Sequence, residues 1–155
     1  MQILYEGIFF DDKNSNILRS LDYNKLNNKI KNLHITFKYA PSNKEIFNEI
    51  VGKTFTIEIT GYGNDGQNAG LQVNLPDELI EYYINDNTPH ITTTLNDASK
   101  AINTHKLKYN KFTYPIKVQG TFAYYIQDNN KDFISTTPFK IKENIKKWDY
   151  EVNPF

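Results

Sequence analysis

Two of the three histidines in this chain sit in the same tripeptide, His-Ile-Thr: His34 in "NLHITFKYAPS" and His90 in "TPHITTTLNDAS". Side chains alternate along a β-strand, so His34 and Thr36 share one face while Ile35 and Phe37 take the other. By the same alternation His90, Thr92 and Thr94 share a face, opposite Ile91, Thr93 and Leu95. Two such strands across a groove would offer two imidazoles and two hydroxyls to one substrate. That set suits phosphodiester cleavage. A neutral imidazole takes the proton of an attacking oxygen, and a protonated one donates to the leaving oxygen. The threonine hydroxyls donate to non-bridging oxygens, where negative charge grows in the transition state. An imidazole titrates near neutrality, so the pair predicts a bell-shaped pH profile. No dense Asp/His cluster offers a metal site, and neither a metal nor a cofactor is expected.

Other residues extend this reading. Lys38 falls on the His34/Thr36 face of a regular strand and would add a positive charge near a phosphate. Tyr5, Tyr39 and Trp148 are candidates to stack on a base. His105 lacks a hydroxyl residue two positions on and reads as a surface loop residue. The Gly-rich loop 61–70 lacks the strand-to-helix context of a nucleotide fingerprint and reads as a hairpin connection.

The elements that must hold these residues are short and mixed. "QILYEGIFF" reads as a strand with Ile3, Tyr5, Gly7 and Phe9 on one face. Helical spacing follows in "SNILRSLDYNKLNNKI", with Ser15 or Asn16 as N-cap. "LHITFKYA" is a strand ended by Pro41, and "SNKEIFNEIVG" a short helix stopped at Gly52. "KTFTIEITGYG" and "NAGLQVNL" form two strands, and "PDELIEYYIN" a helix with Pro76 at or near its first position. "TPHITTTL" is again a strand, and "NDASKAINTHKL" a loop or short helix. "FTYPIKVQG", "TFAYYIQD" and "FISTTPFK" read as further strands, with "NNKD" a turn. The tail "IKENIKKWDYEVNPF" reads as a terminal helix or a lid.

This order lacks the alternation of a parallel βαβ fold and predicts an α+β domain of antiparallel sheets with flanking helices. Lys44 and Ile46 follow His34 at the distances at which Lys100 and Ile102 follow His90. A two-lobed, pseudo-duplicated architecture with a central cleft is expected, all within one domain over 1–155.

Composition narrows the partners. The chain has 155 residues, 18 basic against 18 acidic, and no cysteine. Thiol nucleophiles, disulfides and zinc-thiolate sites are excluded. A chain of zero formal net charge is poorly suited to long nucleic acid, whose binding replaces many counterions. A small nucleotide or an RNA end asks for less. No apolar run reaches membrane-spanning length, and the N-terminal "MQILYEGIFFDDK" lacks the flank of a signal peptide. A monomeric cytoplasmic protein is expected.

The paired motifs resemble the two-histidine (2H) phosphoesterase superfamily. Its relatives include LigT-like RNA 2′,3′-cyclic phosphodiesterases, the cyclic phosphodiesterase part of tRNA ligases, enzymes that degrade 2′-5′ oligoadenylates, and viral members that destroy cyclic-nucleotide signals of host immunity. The resemblance covers the element order from Ile3 to about Ile126. "PHITTTLNDASKAINTHKL" is similar to the second motif region of tRNA-ligase-like members. It implies His34 and His90 as the acid/base pair and Thr36 and Thr92 as phosphate donors. The bulky residue expected after each motif is Phe37 in the first but Thr93 in the second. The histidine spacing, from 34 to 90, is short for the family. A non-catalytic nucleotide- or RNA-binding module on the same fold is the alternative that the residues leave open.

Overall fold

The computed structural model describes residues 1–141. Strand β1 (Gln2–Phe9) leads into helix α1 (Asp12–Leu21), followed by the two-residue β2 (Asn28–Lys29) and β3 (His34–Tyr39). After a 3-10 turn (Asn43–Glu45) come β4 (Thr54–Asn64), β5 (Asn68–Asn74) and the one-turn helix α2 (Asp77–Ile80). Then β6 (His90–Leu95), a second 3-10 turn (Ala101–Lys106), β7 (Asn110–Asp128) and β8 (Lys131–Ser135) complete the described chain. The fold is α+β and mostly antiparallel sheet. No helix among the described residues is long and apolar enough to cross a membrane.

The strands form one sheet in the order β2-β6-β5-β4-β7-β1-β3, with β8 added alongside β7. Every pairing between them is antiparallel. Strand β3 lies at one edge and β6 next to the other, with four strands between them. The sheet nevertheless curves until β3 and β6 touch. The force behind this is apolar burial: Ile35 and Phe37 of β3, Ile91 of β6, Leu71 of β5, Ile57 of β4 and Phe122 of β7 share one core with Leu18 of α1. The two histidine strands are thereby brought together from opposite ends of the sheet.

Several local expectations change. Helix α1 starts earlier than Ser15, because the Asp11 carboxylate caps it by accepting from the Asn14 N–H at 2.8 Å. It stops at Leu21, and Leu26 packs on the core from outside the helix. The segment "SNKEIFNEIVG" forms only a 3-10 turn, held by a capping box between Ser42 and Glu45. Beyond that turn, Phe47 and Ile50 anchor the segment on the core. Pro76 opens α2 as its N-cap, but the helix covers only Asp77–Ile80 of "PDELIEYYIN". The stretches "FTYPIKVQG" and "TFAYYIQD" are one 19-residue strand, β7. Pro115 is accommodated where the β4–β7 register slips, since it has no N–H to give a ladder. A register shift at Leu4 also turns Ile3 into the core with Ile8, leaving Tyr5, Gly7 and Phe9 on the opposite face. Trp148 lies outside the described residues.

Candidate active site

His34 and His90 line a single cavity of about 170 Å³, together with Thr36, Thr92, Tyr39, Asn85, Asn87 and Ile102. The two half-sites match in detail beyond the tripeptide. His34 Nδ1 lies 2.8 Å from the carbonyl of Asn32, and His90 Nδ1 lies 2.8 Å from the carbonyl of Thr88. A carbonyl only accepts, so each Nδ1 carries the proton and each Nε2 is left for the cavity. Thr36 is paired with Gly7 of β1, and Thr92 with Gly70 of β5. The next residue of each motif, Phe37 and Thr93, is a bulge: the register resumes with Lys38 opposite Glu6 and with Thr94 opposite Ala69.

Those bulges decide which side chains reach the cavity. An inserted residue breaks the two-residue alternation, so the residues after it change face. Lys38, expected beside Thr36, does not line the cavity; it lies near Glu45, whose pKa is lowered mainly by the Ser42 N–H and only slightly by the Lys38 charge. Thr94, expected beside Thr92, is turned to the core, where its hydroxyl donates to Asp22 Oδ2 at 2.8 Å. Thr93 donates to the same oxygen at 2.8 Å, and the Tyr62 hydroxyl to Asp22 Oδ1 at 2.5 Å. Thr93, where the resemblance leads one to expect a bulky residue, meets a buried carboxylate that needs donors. Burial and the Asp22 hydrogen bond push the Tyr62 hydroxyl up to about 12.

The aromatic candidates separate. Tyr5 is packed against His34 with ring centroids 4.8 Å apart, and against Tyr125 at 4.8 Å. Phe9 stacks on His34 at 5.4 Å. These rings of β1 hold the imidazole in place, and Tyr5 has little face left for a base. Tyr39 is 53% exposed and lines the cavity, so its ring is accessible to a ligand. His105 sits in the second 3-10 turn, its Nδ1 near the carbonyl of Ile102.

The electrostatics follow from burial. Desolvation lowers the His34 pKa below its usual 6.5, opposed by the Asn32 carbonyl and reinforced by the charge of His90. Desolvation also lowers His90, opposed by the Thr88 carbonyl and reinforced by His105. The mutual effect of the histidines means that protonating one disfavours protonating the other.

The hydroxyls are not equivalent. Thr36 engages its carbonyl with Asn85 Nδ2 at 2.7 Å, and among the described residues its hydroxyl has no protein partner. Thr92 Oγ1 donates to Thr104 Oγ1 at 2.8 Å, which also accepts from Asn68 Nδ2 at 3.0 Å. Asn85, Asn87, Asn68 and Thr104 had no signal in the sequence. Each reaches the site from a connecting segment or a neighbouring strand, without periodic placement. Ile102 lines the cavity while Ile46, its counterpart after His34, packs on the core. No protein-family model matches the chain, and no curated protein matches it either.

Proposed function

We propose that the chain is a 2H-type phosphodiesterase that hydrolyses a 2′,3′-cyclic phosphate or a related nucleotide phosphodiester without a metal. The observation that carries this reading is the doubled anchoring of His34 and His90, each held by Nδ1 on a backbone carbonyl, with both Nε2 atoms left to one cavity. The repeated glycine, bulge and carbonyl anchor favour a duplicated half-site, as the resemblance to the superfamily implies.

In this reaction the neutral imidazole takes a proton from water as its oxygen attacks phosphorus. The protonated imidazole gives its proton to the ribose oxygen as the P–O bond breaks, leaving a phosphomonoester and a free hydroxyl. Thr36 donates to one non-bridging oxygen. Thr92 donates to the other once the hydroxyl rotors reverse and Thr104 donates to Thr92 instead. Tyr39 at the cavity wall offers a face to the base.

The test is hydrolysis by purified protein in excess EDTA. Substrates are 2′,3′-cyclic mononucleotides, RNA ending in a cyclic phosphate, 2′-5′ oligoadenylate and cyclic dinucleotides. EDTA-resistant turnover lost in both His34→Ala and His90→Ala is expected. Binding without turnover would replace the enzyme with a nucleotide-binding module, and neither binding nor turnover would end the reading.

A further inference from the structure

We propose that the cavity between α1 and residues 29–32 is a second phosphate subsite, taking the neighbouring phosphodiester of an oligonucleotide whose reacting phosphate lies between His34 and His90. This rests on the function proposed above and adds a substrate class to it.

Arg19 is the only arginine of the chain and lies in the last turn of α1. Its Nη2 donates to the carbonyls of Ile30 at 2.7 Å and Lys31 at 3.1 Å. Carbonyls carry no net charge, and the one ion pair found among the described residues joins the N-terminus to Asp128. Among the described residues the Arg19 charge therefore meets no carboxylate within ion-pair distance, and the guanidinium has further N–H groups to offer. Lys29 and Lys31, both exposed, line the same cavity of about 250 Å³, with Asn16 and Asn32 as neutral donors and Asp12 as its one carboxylate. Arg19 and Lys29 also border an adjoining hollow with Lys25, where the Asp22 carboxylate is already taken up by three hydroxyls. A chain with zero net charge has concentrated cations at one place.

That place adjoins the histidines. Asn32 lines the cationic cavity, and its carbonyl holds His34 Nδ1. Ile30 lines the histidine cavity, and its carbonyl holds Arg19. Asn32 and His34 are two residues apart, at most about 7 Å along the chain, so the two cavities adjoin along one short segment. Contacts of this kind position a nucleic-acid strand without reading its bases. The relevant charge is local, so the neutral total does not limit the substrate to a mononucleotide.

The experiment compares the full chain with its Lys29→Gln/Lys31→Gln variant, in which neither exposed side chain touches the acid/base pair. Uridine 2′,3′-cyclic monophosphate is set against a trinucleotide ending in the same cyclic phosphate. The variant is expected to raise KM for the trinucleotide tenfold or more and leave the mononucleotide unchanged. The slope of log KM against log salt for the trinucleotide should fall by about 0.7, the value for one single-strand phosphate contact. Equal effects on both substrates, or no effect on either, would overturn the subsite. If the wild type turns over neither substrate, turnover of 2′,3′-cyclic phosphate ends fails by itself. Fluorescence anisotropy with a labelled 3′-phosphorylated trinucleotide then decides the subsite: weaker binding by the variant supports it, and unchanged binding overturns it.

Discussion

Gly70 lies directly across the sheet from Thr92, and a Cβ added to it would stand 2.7 Å from the carbonyl oxygen of Ile91. Gly7 stands in the same relation to Thr36, where a Cβ would overlap the carbonyl oxygen of Ile35. In both half-sites the close approach of two backbones sets the strand carrying the histidine. Gly7→Ala and Gly70→Ala are each expected to lose at least about 2 kcal/mol of stability, because backbone atoms cannot move aside as a flexible side chain can. Denaturant midpoints measure this, and wild-type midpoints in both variants would refute it.

The pH profile follows from the directions of the histidine shifts. Both pKa values are lowered from 6.5 by burial. The proposed hydrolysis needs one imidazole protonated and the other neutral, and the protonated form fades as pH rises through the lowered values. The kcat/KM optimum of the free enzyme is therefore expected below about pH 6.5, in a bell whose two limbs belong to the pair. Replacing either histidine with alanine should cost roughly 10²–10⁴-fold in kcat. An optimum well above neutrality would contradict the desolvated pair.

Thr104 is fully buried and bonded to Thr92 and Asn68, so it acts as a positioning residue for the Thr92 hydroxyl. Thr104→Val keeps the shape and removes the hydroxyl. It is expected to lower kcat about tenfold with KM little changed, as for a donor needed in the transition state. Thr104→Ser should restore kcat. A matching loss in the serine variant would point to packing alone.

Glu6 carries the most costly side chain in the core. It is fully buried, and among the described residues neither carboxylate oxygen has a hydrogen-bond partner. The Phe47 backbone N–H lies near enough to favour the anion slightly without hydrogen-bond geometry. Burial, aided by Glu45 and Glu49, pushes its pKa from 4.5 up to about 8. Between those values the native state holds a proton that the unfolded chain has released. Stability therefore falls as pH rises from about 4.5 to about 8, and below that window this group contributes no pH dependence. Glu6→Gln should flatten the dependence and stabilise the protein at pH 9 by on the order of 4 kcal/mol. Thermal unfolding from pH 5 to 9 measures it. An unchanged slope would show that the carboxyl finds a partner.

The local chemistry was legible in the sequence wherever it depended on alternation over a few residues. His34 with Thr36 and His90 with Thr92 share a face of their strands as the spacing requires, and Ile35, Phe37 and Ile91 enter the core. What alternation could not carry past was the bulge at Phe37 and at Thr93. These are set by pairing with Gly7 and Gly70, far away in the chain, and they turn Lys38 and Thr94 off the cavity. Helices were legible least. The eleven- and ten-residue segments expected as helices gain too little from propensity alone, and keep only the first 3-10 turn and the one-turn α2. Only the curvature of the sheet decided that β3 and β6 meet, that Asn85 and Thr104 buttress the two threonines, and that Arg19 reaches the segment holding His34. All of these depend on burying one shared core, a property of the whole chain that no window of it contains.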